Sequence, residues 1–297
     1  MNKLISLTKR NIKVYFSDKK MFFTSLITPI ILLVLYVTFL SGVFKDSFIN
    51  AFPEGFKYTD KLLNSLVGGQ LISSLLAVSC ITVAFTSNLL MVQDKAEKTI
   101  KDINITPISK FTIGLSYFFS TFISTFIVNF TVTIICFIYA HLFGTYMNIT
   151  DMLNIILDLL LLTLFGTSLS SVINFNLSTQ GQVSAVGTII SAGYGFICGA
   201  YMPISSFGKG LQKVLAFLPG TYGTSLLRNH ALSASFREMR NQHLPEELID
   251  GFKKAFDCKI KLLGNYVSIN SMYLIVTGFT LLFIVIFIFM NKHKKRS

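Results

Sequence analysis

The sequence predicts an all-α integral membrane protein. An N-terminal amphipathic helix lies on the membrane surface, six transmembrane helices follow, and short re-entrant or outer helices separate the fifth span from the sixth. Three observations carry this prediction. The 297 residues are 52% hydrophobic and only 13% charged, with a mean hydropathy of +0.62, whereas soluble domains average about 25% charged residues. Six apolar runs reach the roughly 17–25 residues that cross a hydrocarbon core. Lys and Arg collect in alternate loops between those runs. The same composition excludes a disordered chain, a collagen-like fibre and a disulfide scaffold. Three of the four cysteines (Cys80, Cys136, Cys198 and Cys258) lie in apolar runs and read as small buried hydrophobes.

In chain order, residues 1–21 form the surface helix. Leu4, Ile5, Leu7, Ile12, Val14, Tyr15 and Phe16 share one sector at 100° per residue, and Lys3, Lys9, Arg10 and Lys13 fill the remainder. That split suits an interfacial helix with its basic face toward the cytoplasm; a plain positive-inside signal is the other reading. The spans fall at about 22–44, 66–91, 111–140, 152–175, 183–201 and 269–290. Residues 1–297 thus form one transmembrane domain, with 202–267 as an outer loop and 291–297 as a basic tail. Pro29 is expected to kink the first span, because it removes a backbone donor.

Charge sets the orientation. Lys3, Lys9, Arg10, Lys13, Lys19 and Lys20 precede the first span. Lys95, Lys98, Lys101 and Lys110 follow the second, and Lys292, Lys294, Lys295 and Arg296 close the chain. The opposite short loops hold only Lys45, Lys57 and Lys61, offset by Asp46, Glu54 and Asp60. Both termini are therefore expected in the cytoplasm of a multi-pass cell-membrane protein. The net charge of +12 then reflects anionic lipid at the inner leaflet rather than nucleic acid.

Four segments carry further information. Between 92 and 110, acids and bases alternate through Asp94, Lys95, Glu97, Lys98, Lys101 and Asp102, while Ile100 and Ile103 are apolar for a solvated loop. A short exposed helix ending before Pro107 fits, since the residue preceding Pro avoids the helical region. In the fifth span Gly187, Ser191, Gly195 and Gly199 recur every fourth residue. This is a close-packing face, directed within the chain or toward a second copy. From 202 to 220 an apolar stretch of about 14 residues between Pro203 and Pro219 is too short to span and reads as a re-entrant or outer helix. Beyond it, Leu248, Phe252, Phe256 and Ile260 repeat at i+4 after Pro245, Glu246 and Glu247, the pattern of an exposed amphipathic helix. Finally, Asp158 lies either inside the fourth span, where it would be a functional suspect, or at the outer interface of a span over 159–175.

No enzyme signature is present. Zinc-protease, nucleophile-elbow and C-x-x-C patterns are missing, all four His lie outside the runs, and Gly208-Lys209-Gly210 lacks the spacing of a phosphate loop. No catalytic, cofactor or metal residue is assigned.

Taken together, the chain resembles the permease subunits of type-2 ABC exporters along essentially its whole length. Two segments carry the likeness: 92–110 with its Thr106-Pro107-Ile108-Ser109 turn, and 202–228 with Met202-Pro203-Ile204-Ser205 and Leu218-Pro219-Gly220. The resemblance implies two permease copies, or this chain with a sister, and two separate ABC ATPase subunits that hold ATP and Mg²⁺. It implies that Asp94, Lys95, Glu97, Lys98, Ile100, Lys101, Asp102 and Ile103 form the coupling helix, and that the cargo is a drug, antimicrobial peptide, lipid or similar amphiphile. The first outer loop is too short for the large external domain of some members. A stand-alone secondary carrier or channel is the alternative, and a membrane enzyme ranks third.

Overall fold

Long apolar stretches form helices here because, away from water, a helix satisfies every backbone N–H and C=O within itself. The computed structural model describes residues 2–52, 58–142 and 144–293, apart from the side chains of Asn104 and Gln180. Glu54 and Lys57 of the first outer loop and Lys294, Lys295 and Arg296 of the tail, all used in the charge count, lie outside the described residues. Apart from one two-residue hairpin, the described regular structure is helical.

Helix α1 (Asn2–Ser17) packs against α7. Its most buried residues are Thr8, Asn11 and Tyr15, a narrower and more polar seam than the apolar sector predicts. The first span is a rod of α2 (Lys19–Leu35), a π turn (Tyr36–Leu40) and α3 (Ser41–Ala51). Asp18 caps it, accepting from the amides of Lys20 and Met21. Helical geometry continues through Pro29, and the departure from it comes only at the π turn.

Helix α4 (Asp60–Ser87), capped by Thr59, runs through the centre of the molecule and packs against α2, α7, α8 and α11. Helix α5 (Leu89–Ala96) extends it. The chain then turns at Lys98, whose φ of 66° is left-handed, and α6 (Thr99–Ile105) leads away. The helix does end before Pro107. Helix α7 (Lys110–Leu142) returns, and α8 (Ile149–Phe175) begins with a capping box between Asn148 and Asp151. Because α8 starts well before Asp158, that residue stands three turns into the helix with no exposed surface.

Helix α9 (Gln180–Ile197) has a second capping box, Thr179 with Gln182. By length and apolar composition five described rods qualify as membrane spans: Lys19–Ala51, Asp60–Ala96, Lys110–Leu142, Ile149–Phe175 and Ile269–His293. The sixth expected span, α9, falls short. It has 18 residues and carries two Gln in its first turn, with Gly, Ser and Thr along its length.

The outer region is more divided than a single short helix. A 3₁₀ turn (Ile204–Ser206) precedes α10 (Lys209–Leu215), and Pro219 then opens α11 (Pro219–Ala231) at its first turn. Helix α12 (Ser233–Asn241) and α13 (Glu246–Ala255) follow, then β1 (Lys261–Leu262) paired antiparallel with β2 (Asn265–Tyr266). Helix α13 does not stand exposed. Its Phe252 is buried, and both Phe252 and Phe256 stack on Phe48 of α3. The last span, α14 (Ile269–His293), packs on α8 and α11.

Candidate functional site

One end of the bundle collects α1, α5, α6 and the turn after α8, and two half-buried attachments fix it. The first joins Arg10 of α1 to Asp94 of α5, with Nη1–Oδ2 at 2.5 Å and Nη2–Oδ1 at 3.3 Å. Tyr117 of α7 donates its hydroxyl to the same carboxylate at 2.5 Å. The Asp94 hydrogen bond raises the pKa of Arg10 above its already high value. The second attachment is Lys95, which donates to the carbonyls of Asn174 (3.3 Å), Phe175 (2.8 Å) and Leu177 (3.2 Å), where α8 ends. A cation there meets the negative pole of the helix dipole.

The predicted coupling residues therefore divide. Asp94 is buried in an internal ion pair and Lys95 is half-buried at the end of α8, so the expectation that these two face a partner is corrected. Glu97, Lys98, Lys101 and Asp102 are exposed. Ile100 and Ile103 are half-buried against the apolar cluster around Tyr15 and Met91. Ile105, at the tip of α6, is 84% exposed.

Between the first rod and α9 runs an apolar groove of about 1630 Å³. Near the α1 end its walls carry Thr24, Thr28, Thr86, Ser184 and Thr188, and toward the far end Phe39, Phe44, Phe196, Tyr201 and Phe256. Gly187 and Ser191 line it, and a Cβ added at Gly187 would meet nothing within 4 Å. The four small residues do not form one face against a neighbouring helix. At Gly195 a Cβ would meet the Tyr201 ring at 2.3 Å, so this glycine makes room for the chain folding back on itself. Gly199 lies beyond α9 with φ of +74° and closes the helix, the Ala200 amide donating to the Gly195 carbonyl.

The far wall of the groove is held from behind. Asp257 accepts from the amides of Ile204 (2.5 Å) and Ser205 (3.4 Å). Arg228 of α11 pairs with it at 3.3 Å and also donates to the carbonyls of Gly199 and Phe256. Both side chains are almost fully buried. Burial pushes the Asp257 carboxyl up, against the pull of Arg228 and the two amides. Gln70 of α4, with its amide oxygen turned to the guanidinium, accepts at 3.2 Å. Pro203 precedes this anchored turn.

A third buried group lies off the groove. Asp158 accepts from Tyr273 of α14 and shares a 2.6 Å hydrogen bond with Nδ1 of His230 on α11. Nearer the start of α8, Asp151 accepts from Ser233 (2.6 Å) and Arg237 (2.8 Å). Arg228, Asp257, His230 and Tyr273 were not legible as site residues. Arg228 and His230 lie in a mixed polar run and Asp257 among Lys253, Lys254 and Lys259, so nothing local singles them out or names their partners.

The family described as ABC-2 family transporter protein matches residues 49–288, most of the chain. This chain is a member of the ABC-2 transporter family. Membership accounts for a multi-pass membrane component of an ABC transporter and implies an ABC ATPase partner. The matched range covers α5, α6, the α9 wall of the groove and the Arg228–Asp257 anchor, and leaves out the first-rod wall up to residue 48. It leaves out α1 and the Arg10 half of the Arg10–Asp94 pair. No curated protein matches the sequence as a relative.

Proposed function

We propose that this ABC-2 chain is the membrane-spanning subunit of an ATP-driven exporter in the cell membrane, with α9 supplying the sixth crossing and both termini cytoplasmic. Two copies of a separate ATPase subunit dock on the segment 97–105 and hold the ATP and Mg²⁺. A second copy of this chain, or a sister permease, completes the pathway that the α2–α9 groove lines. The basic face of α1, with Lys3, Lys9 and Lys13 exposed, rests on anionic lipid. The cargo class is a drug, an antimicrobial peptide, a lipid or a similar amphiphile.

The observation that supports this reading best is the geometry of α6. The chain is tied down at Asp94 and Lys95, reverses at Lys98, and presents Ile105 among Glu97, Lys101 and Asp102. An apolar tip ringed by charges gains by docking on protein, where the tip leaves water and the charges set the register. Because the tip continues from the most buried helix, a displacement there reaches the bundle through packed side chains.

The test is Ile105→Asp combined with Lys101→Glu, against Asp94→Asn as a variant of the internal pair. The double variant should insert normally and lose the co-purifying ATPase subunit and substrate-stimulated hydrolysis. Asp94→Asn should lower thermal stability and retain the subunit. Unchanged coupling in the double variant overturns the assignment. The carrier alternative has one observation on its side, the buried Asp158–His230–Tyr273 group. Transport by the purified chain alone in vesicles would establish it in place of the exporter.

A further inference from the structure

Helix α14 fixes where the chain just before it lies. Its 25 residues rise roughly 37 Å, enough to cross a hydrocarbon core of about 30 Å. Lys292 and His293 end it, and Asn291 packs against Gly114 near the start of α7. Its first residue, Ile269, therefore stands at the membrane surface, at the end of the bundle away from α6. The β1–β2 hairpin comes immediately before, closed by the Val267 amide on the Ile260 carbonyl (3.0 Å). A two-residue strand spans only about 7 Å, so the whole hairpin stays within reach of the lipid headgroups.

The hairpin tip does not suit water. Its two turn residues, Leu263 and Gly264, both have positive φ (48° and 95°), the backbone of a turn that favours Asn-Gly. Glycine meets that demand, and leucine does not. Leu263 is also 83% exposed, so neither turn chemistry nor packing within the fold accounts for an apolar side chain there. Burial among lipid does. Tyr266, half exposed on the second strand, is of the type that collects at membrane interfaces.

Charge points to the same partner. The ammonium groups of Lys254 and Lys261 converge on the Tyr266 ring, 5.5 and 6.0 Å from its centroid. Both lysines are exposed, and among the described residues neither has a carboxylate within ion-pair distance. The acids near them in sequence are engaged, Asp250 by Lys259 and Asp257 by Arg228. Two cations brought to one ring repel each other, and an anion beside them relieves that repulsion.

We infer that the hairpin is a lipid anchor. Leu263 and Tyr266 sit among the headgroups, and Lys254 and Lys261 hold the phosphate of an anionic phospholipid. The anchor lies on the face of the membrane opposite the one that α1 and α6 occupy. It holds the end of α13, beside the groove residues Ala255 and Phe256, at a fixed depth. This requires α14 to be a membrane span and does not depend on what the chain transports.

The chain contains no Trp, so Tyr266→Trp makes a unique fluorescent reporter that keeps an aromatic ring beside both lysines. Leu274→Trp, on the exposed side of α14, reports ordinary lipid contact. The full-length variants are placed in nanodiscs of phosphatidylcholine and phosphatidylglycerol at one fixed ratio. Either the first lipid or the second carries bromines at acyl carbons 6 and 7, which quench Trp on contact.

Tyr266→Trp should be quenched in both preparations, with brominated phosphatidylglycerol about fivefold more effective per molecule, the ratio that one lysine near a surface supports. Leu274→Trp should be quenched equally by the two lipids. Lys254→Gln with Lys261→Gln should abolish the preference at 266. Leu263→Asp should weaken quenching by both lipids and raise quenching by aqueous acrylamide. Equal quenching by the two lipids at 266 in the otherwise unaltered chain overturns the phosphate site. Quenching there by acrylamide and not by lipid means a hairpin standing in water, and protection from both means a protein cover; either result overturns the anchor. Loss of lipid quenching at Leu274→Trp as well removes the span and the anchor together, so the two failures are told apart. If Tyr266→Trp does not accumulate, Leu263→Trp at the exposed tip serves as the reporter and the lipid preference decides.

Discussion

The first rod and α4 are both apolar enough to span a membrane, yet 17% of the first rod's apolar window is buried against 89% for α4. The rod turns Phe23, Ile27, Ile30, Ile31, Val34 and Phe39 outward. Helix α4 instead presents Gly68, Gly69, Gln70, Ser73, Ser74, Ser79 and Thr82, all buried. In hydrocarbon there is no hydrophobic drive to sort one apolar helix inside and another outside. Close backbone approach and interhelical hydrogen bonds do the sorting instead. The Ser65–Ser235 bond at 2.8 Å and the Asn88–Ser171 bond at 2.9 Å are of this kind. What sets the interior helix apart is that small and polar residues accompany its buried Leu, Ile and Val, whereas the first rod's outward side is almost wholly aliphatic and aromatic.

Breaking the buried side of this comparison should have the largest effect at Arg228, which packs behind α4 at Gln70. Arg228→Ala leaves Asp257 buried without its partner, and losing one member of such a pair costs about 3–5 kcal/mol. Solubilised protein should show a large fall in melting temperature, and a fall no greater than for an exposed pair such as Arg240–Glu246 would contradict the anchor.

The contrast between the two sides is sharpest at two glycines. A Cβ at Gly166 on α8 would come within 2.6 Å of the Cys80 carbonyl on α4, whereas Gly187 faces open space. Gly166→Leu should therefore cost about 1–3 kcal/mol or more through overpacking, while Gly187→Leu should leave stability unchanged and narrow the groove. Fluorescence-detected gel filtration over a temperature series measures both. Similar losses at the two sites would mean the groove side is as tightly packed as α4.

The smallest expected effect lies outside the membrane-spanning helices, at Asp250. Lys259 holds its carboxylate at 2.8 Å and lowers its pKa below the usual range. A lowered carboxylate pKa stabilises the fold above the unfolded-state value and stops doing so as the pH falls through the folded-state value. For so exposed a pair the contribution is at most about 1 kcal/mol. Asp250→Asn should thus lower the melting temperature slightly at neutral pH, leave it unchanged below the folded-state pKa, and so flatten the acid limb of the profile.

Much of the architecture is local and could be read from residues in order. Asp18, Thr59, the Asn148–Asp151 pair and the Thr179–Gln182 pair each cap a helix within three residues of its start, and Pro107 and Pro219 mark helix boundaries from their own ring chemistry. Run lengths and Lys/Arg placement belong to the same kind of information. The site is different. Asp94 reads like its neighbours Glu97 and Asp102, but it is withdrawn into the fold by Arg10, 84 residues earlier. Asp158 finds His230 72 residues away and Tyr273 at 115. The repeated small residues of α9 resemble a packing stripe, yet Gly187 faces the groove while Gly195 accommodates Tyr201 and Gly199 ends the helix.

By itself, then, the sequence determined an all-helical membrane protein, the helix ends that Pro107 and Pro219 mark, which loops are basic, and the kinship that the 92–110 and 202–228 segments suggest. These follow from hydrogen bonds that close within four residues and from hydropathy that sums along one helix. Only the tertiary structure decided which apolar helix is interior, which charges are neutralised inside the fold, and that the first rod and α9 leave a long uncharged groove between them. Those outcomes depend on which distant surfaces meet, and a side chain's own chemistry does not specify the partner that another helix brings to it.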